Sequence, residues 1–575
     1  MESFRCANWS PTDTGVACSE QGSKACSRCS LVLPVGIVCV NGFEKYCGKE
    51  CQTAHWPVHK SDCNSNIRKS TWRPAWEREN RRPTFVAHLS TEVKIDGSVY
   101  GGRQNLFSEF PAIDLLRLKD NEGQNTTRDL SILLAATGDL RNLVETIVNL
   151  PDSYNGRISF DINDRNRTVV TRNLIILLAA FNLPPEVAST VMLHLWYSAF
   201  LPEWVMTCIK DKVLPALQDF NGNSGDGWSY KNATLRADSS VKIKKRVLSQ
   251  FSGNSGIPFG EASTLRKAVT LAPCRQDYTH RTLFHLSPSW RLPLLKFRLD
   301  GVLLPFGASR ENFQIPNPTF FGGKSWPMAE HADPLAGWDL NEVLQSGHKA
   351  RNDTYGHLYL HVRQKFLKFC QIISTLKLNI RLFETELEKF LDPREAPKDN
   401  VRSYDRIEIG SLADSVHFGT EHTIGPLNTL GYFNLVLKPK AENPHAAILM
   451  FLLRAIRDKA RQAGDRILPP KQKVLQFVPA RQAGSPPALN NADFFKFVDA
   501  TNMFKDFDIP FNMFIEAAMF GDIEALLGLG IKSNHTIVPK WPMRLKKEPT
   551  QHEFDMLLGS RHEGSERYVE LIRTR

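Results

Sequence analysis

"DLSILLAATGDLRNLVETIVNLP", residues 129–151, changes its hydrophobic period midway. Leu130 to Ala136 is a short apolar run, suited to a strand buried on both faces. Thr137-Gly138-Asp139 reads as a turn, with an aspartate able to cap a helix. Leu140, Leu143, Val144, Ile147 and Val148 then recur at the 3.6-residue spacing of an amphipathic helix, and Pro151 ends it. The segment predicts strand, turn, helix. "RISFDIND" (157–164) follows, alternating Ile158, Phe160 and Ile162 as a second strand that ends in acids. "VVTRNLIILLAAF" and "PPEVASTVMLHLWYSAFL" read as two apolar helices, the second opened by Pro185.

Strand, turn, helix and strand, with an acid at the end of the second strand, is the opening of a Rossmann-like unit. The glycine fingerprint GxGxxG is absent; Gly138 alone stands in the turn. If the unit takes a nucleotide-like cofactor, Gly138 and Asp139 are the residues to meet it, and Asp161 or Asp164 the acid to reach a ribose. The competing reading is that all of them cap and turn.

Further along, residues 216–356 are irregular and read as an insertion or second lobe. From residue 357 the pattern sharpens. "VRQKFLKFCQIIS" reads as a helix, "LKLNIRLF" (376–383) and "YDRIEIGSLAD" (404–414) as strands, and "AAILMFLLRAIRDKA" (446–460) as an apolar helix. These strands complete the sheet begun at residue 130. The expected fold class is α/β, a Rossmann-like body with a large insertion and a helical tail. In strand order it is similar to S-adenosylmethionine-dependent methyltransferases, though a shared fold does not license an activity. The expected division is 1–63, a small metal-binding unit; 64–103, a linker or extended arm; 104–215, the first half of the body; 216–356, the insertion; 357–465, the second half; and 466–575, the helical tail.

A length of 575 residues suggests roughly three or four domains. No run approaches the ~20 apolar residues a membrane helix needs. "MESFRCANWS" lacks the basic-then-apolar start of a signal peptide. The expected compartment is therefore reducing, cytoplasmic and/or nuclear, where clustered cysteines act as metal ligands before disulfides. The net charge of +11 concentrates in patches such as "VKIKKRV" (241–247) and "RLKKEP" (544–549). No aromatic interleaving accompanies them, so a solvated basic face is expected rather than a nucleic-acid interface.

Eight of the eleven cysteines fall before residue 64. Cys26-x2-Cys29, Cys47-x3-Cys51 and His59-x3-Cys63 have spacings that let both side chains of a pair reach one ion. With Cys6 and Cys18 they make eight ligands, enough for two zinc ions. Cys39 reads as a spare thiol and His55 as a surface residue. Few large apolar side chains lie in this stretch, so metal must supply its folding free energy, on the order of 10–16 kcal/mol per structural site. Closed sites of four protein ligands leave no position for water, so this zinc is structural.

"YCGKECQTAHWPVHKSDC" (46–63) resembles the second half of a MYND-type zinc finger. The resemblance implies two interleaved zincs, one on Cys6, Cys18, Cys47 and Cys51, the other on Cys26, Cys29, His59 and Cys63. It also implies that Gln52 and Trp56 form a shallow groove for proline-rich peptides. An indole face stacks on proline rings, and an amide reads an extended backbone. The chain departs from the family in the wide gap between Cys6 and Cys18 and in "PVGIVCVNGFEK" (34–45), which reads as an inserted loop. "FPAIDLLRLKDNEG", "LLAATGDLRNLVETI" and "LHLWYSAF" resemble a domain of unknown function that follows MYND fingers in fungal proteins and is related to the N-terminal domain of dynein-arm assembly factors. Two functions are expected from these readings. The first is a zinc-binding adaptor whose finger recruits a proline-containing protein partner. The alternative is a divergent methyltransferase using S-adenosylmethionine, with the finger recruiting substrate.

Overall fold

The computed structural model describes residues 24–25, 45–46, 49–86, 98–136, 138–218, 228–237, 240–252, 256–323, 325–348, 350–391, 403–414, 426–478 and 489–574. Its centre is a nine-stranded sheet. Numbered along the chain, the main-sheet strands are β1 (Leu130–Leu134), β2 (Arg157–Asn163), β3 (Trp228–Tyr230), β4 (Ala233–Ala237), β5 (Lys377–Phe383), β6 (Arg406–Gly410), β7 (Ala447–Leu452), β8 (Leu529–Ile531) and β9 (Arg567–Arg573). Their spatial order is 8-9-7-6-1-2-5-4-3. Strands β7, β6, β1, β2, β5 and β4 are parallel to their neighbours, while β9 pairs antiparallel with β7 and β8, and β3 with β4.

The opening segment forms as its period dictates. β1 is followed by a turn and by the helix Arg141–Val148, and β2 by the helices Arg167–Asn182 and Pro185–Tyr197. Both faces of the sheet are buried. Ile132, Leu134, Ile158, Phe160, Ile380 and Phe451 join the larger core, which the helices Pro185–Tyr197 and Thr354–Ile373 close. Leu133, Ile407, Ile409, Ile448 and Met450 face the other way, into a second core with Leu430, Ile456 and Phe514. Alternate residues of one strand therefore enter different cores, and the central strands have no solvent face.

Three expectations change. "AAILMFLLRAIRDKA" is strand β7 and then the helix Arg454–Ala463, not one helix. A strand buried on both faces carries no alternation to distinguish it from a helix core. The tail is not purely helical, because β8 and β9 add two strands to the sheet. The third concerns residues 64–86. Trp76 and Phe85 are fully buried, packed edge-to-face on each other and against Phe495. Arg81 and the Thr84 amide both bind Asp277, which burial would raise but these donors hold below the usual carboxylate range. This part of the arm is a clamp between the insertion and the tail rather than a free linker.

The basic patch 241–247 lies on the helix Ser240–Ser252, where Ile243, Val247 and Phe251 are buried at one-turn spacing and Lys242 and Lys245 are exposed. It is an amphipathic helix with a solvated face. No helix of the described residues is long and apolar enough to cross a membrane.

Candidate functional site

Strand order reverses on either side of β1: the chain passes from β1 to β2 on one flank and later to β6 on the other. In open parallel sheets, the crevice outside the carboxyl ends of two such strands is where ligands bind. Here those ends are Ala135 to Asp139 and Glu408 to Asp414.

Gly138 sits in the turn after β1 with φ +64°, a conformation that needs no Cβ. Its amide donates to Asp164 Oδ2 at 3.2 Å, and the Asn166 amide donates to Asp164 Oδ1 at 2.7 Å. Asp164 thus ties the turn after β1 to the start of the helix after β2. Burial raises its pKa, and these two amides oppose the rise. Asp139 is buried and accepts from the Arg141 amide at 3.1 Å and from Arg141 Nε at 2.7 Å. Arg141 also donates to the carbonyls of Phe110 and Gly337. Asp161 is not at the crevice mouth. It pairs across the sheet with Arg381, whose Nε lies 2.7 Å from Oδ1, and accepts from the Tyr404 hydroxyl at 2.6 Å. The structure therefore brings Gly138, Asp139 and Asp164 together and sets Asp161 apart.

Sequence reasoning missed Glu408. It lies in the middle of β6 opposite Leu134, is 8 % exposed, and lies near Asp139 and Arg141. Burial pushes its pKa up to about 7, against a hydrogen bond from the Gly410 backbone. Its carboxyl is protonated in both folded and unfolded chains below the ordinary value of 4.5, so it costs nothing there. Between that value and about 7 the unfolded chain releases the proton first, so stability falls as pH rises. A Glu408→Gln variant is expected to match the parent near pH 4 and to be more stable at pH 8, by about 3 kcal/mol. Urea unfolding at the two pH values measures this; equal parent and variant midpoints at pH 8 would refute the assignment.

The described part of the amino-terminal region is the helix Lys49–Cys63 with two short strands, Lys24–Ala25 and Lys45–Tyr46, paired antiparallel. Cys51, Trp56, His59 and Cys63 share this helix. His59 is fully buried, Cys63 is buried, and Cys51 and Trp56 are partly exposed. Trp56 meets His59 edge-on at 5.9 Å between ring centroids. His55, expected at the surface, is buried and its ring stacks toward His59 at 6.3 Å, because it occupies the same helical stripe one turn earlier. Cys6, Cys18, Cys26, Cys29, Cys39 and Cys47 lie outside the described residues, as does the Gln52 side chain. Among the described residues no group of three or more potential ligands converges on one point. The ligands that are described nonetheless suit zinc: two thiols and an imidazole on one helix, with His59 and Cys63 one turn apart.

Two family models match parts of the chain. Residues 16–63 match the model of the MYND finger, and residues 106–201 match a domain of unknown function (DUF4470). MYND fingers bind zinc and serve as protein-interaction modules, and the match includes every cysteine of the cluster except Cys6. The second match runs from Leu106 through β1, β2 and the two helices after β2 to Leu201. No curated protein and no solved structure matches the chain.

Proposed function

We propose that the chain is a zinc-dependent adaptor, in which the finger captures a proline-containing segment of a partner protein and the α/β body is the scaffold that carries it. The finger match together with the layout of the helix Lys49–Cys63 supports this reading. Successive helical residues turn by 100°, so His59 and Cys63 are about 40° apart while Cys51 and Cys63 are about 120° apart. Cys51 and the His59–Cys63 pair therefore address different ions. That suits one zinc on Cys6, Cys18, Cys47 and Cys51 and another on Cys26, Cys29, His59 and Cys63. Trp56 stays partly exposed beside His59, a ring held by the metal shell and open to a ligand, and Gln52 lies one helical turn before it.

The test is fluorescence anisotropy of the zinc-loaded protein with labelled proline-rich peptides. Trp56→Ala combined with Gln52→Ala is expected to abolish binding while zinc content, measured by atomic emission, stays at two ions per chain. Peptide affinity unchanged in the double variant would refute the groove, and one ion or none in the parent protein would refute the ligand sets.

One observation favours a second reading, a methyltransferase-like body. With the β3–β4 hairpin set aside, the parallel strands stand in the order third, second, first, fourth, fifth, as in doubly wound cofactor-binding sheets. The crevice at their reversal holds Asp139, Asp164 and Glu408. Against it, Asp164 already takes the Gly138 amide and Asp161 is committed to Arg381 and Tyr404. Calorimetric titration with S-adenosylmethionine separates the two readings: binding favours the enzyme, and its absence the scaffold.

A further inference from the structure

A cavity of about 620 Å³ opens away from the strand reversal and from the finger. Its walls are the insertion helices Gln276–His285 and Arg291–Asp300, the helix Arg454–Ala463 that follows β7, and the tail helix Ala492–Met503. The volume is that of a small-molecule site.

Its charge is one-sided. Among the described residues, seven Arg or Lys side chains and three carboxylates line it. Arg281 is paired with Asp499, and Arg275 with Glu330 at 2.9 Å, so two of the carboxylates are spoken for. The third, Glu563, lies 3.4 Å from Arg457, whose Nε is buried with no acceptor. Arg561 reaches the His331 carbonyl and Asp333. Among the described residues neither Arg298 nor Lys505 forms an ion pair. Arg298, 7 % exposed, donates to the Thr270 carbonyl and the Thr279 hydroxyl, and its Nε too has no acceptor. Burial pushes both cations down; Arg298, at about 10, stays charged at neutral pH. His331 is held protonated by Glu109 and Glu330, at about 9. A buried cation without a counter-charge, as Arg298 is, is costly unless an anion joins it, and Lys505 and Arg457 stand half-buried at the same cavity.

The two carbocyclic rings that line the cavity, Tyr278 and Phe507, each carry a neighbour. Arg275 covers the Tyr278 face at 3.3 Å, and Phe507 packs toward Trp541 at 6.2 Å. A nucleobase would have to compete with these neighbours, whereas a compact anion needs no ring to stack on. We propose that this cavity binds a compact, non-aromatic polyphosphate, with Arg298, Arg457 and Lys505 as its principal contacts. Guanidinium groups meet phosphate oxygens bidentately, and the missing Nε acceptors are the ones such a group supplies.

The experiment is calorimetric titration of the full, zinc-loaded chain with inositol hexakisphosphate and with tripolyphosphate at fixed ionic strength. The expected result is saturable binding that weakens about tenfold or more in an Arg457→Gln, Lys505→Gln double variant whose melting temperature without ligand is unchanged. Flotation with phosphatidylcholine vesicles that include phosphatidylinositol bisphosphate identifies the source. Co-flotation lost in the double variant points to a lipid headgroup, and no flotation to a free ligand. Three results would overturn the site: no binding of either probe, equal binding by the double variant, or an equal loss in a Lys242→Gln, Lys245→Gln control on the distant basic helix.

Discussion

A Cys51→Ala variant is expected to lose the helix Lys49–Cys63 and at least one zinc, while the body melts as before. The reason is scale. A structural zinc site is worth on the order of 10–16 kcal/mol, and the helix has little burial of its own to replace it. Its mean hydropathy is negative and Pro57 interrupts its interior hydrogen bonding. The body has two large apolar cores of its own and owes nothing to the metal. Zinc content, together with protease mapping across residues 49–63, measures the effect. A variant that keeps both its zinc and its resistance to cleavage there would remove Cys51 from the ligand set. A Cys39→Ala variant serves as the control and is expected to retain both ions.

The second large effect lies within the sheet. Arg381→Met is expected to destabilise the body by about 3–5 kcal/mol, because it removes the ion-pair partner of a buried carboxylate. Asp161 is 1 % exposed, and Arg381 and the Tyr404 hydroxyl are its ion-pair and hydroxyl partners. Asp161 in turn raises the Arg381 pKa against the effect of burial. Adding Asp161→Leu to the first change is expected to restore much of the loss, since an apolar pair of similar volume suffers no desolvation. Urea midpoints for the single and double variants provide the measurement. A drop below about 1 kcal/mol in the single variant would mean that Asp161 is solvated and free to serve a ligand, reopening the cofactor reading.

How much of this was legible beforehand follows from where each polar group finds its partner. The turn at Gly138 was legible because φ near +64° favours glycine and the period changes beside it. The helices after β2 were legible from their apolar runs and from Pro185. Asp161 was visible as an acid near a strand end, but its partner Arg381 lies 220 residues on, and no local pattern announces it. Glu408 stayed hidden for a different reason. In "RIEIG" an acid between two isoleucines suggests an exposed face, yet a central parallel strand has none. β9 falls within the stretch expected as a helical tail. Glu570 interrupts "RYVELIR", although it is fully buried and accepts the amides of Thr536, Ile537 and Val538. Periodicity reports solvent; Glu570 is solvated by backbone amides instead, and Glu408 is buried at a cost to its charged form. The finger was the reverse case: its ligand spacing is local, so the sequence carries it even where side-chain placement is not described.

β9 lies between β7 and β8, although it is the last of the strands to be synthesised. While the ribosome makes the stretch from Leu453 to Glu566, the nascent chain displays the edge of β7, from Ala447 to Leu452, with its backbone groups on that side unpaired. An unpaired apolar edge of that kind is a template for aggregation. A chaperone that shields that edge until Arg567–Arg573 is available to pair with it would therefore raise the yield of native protein.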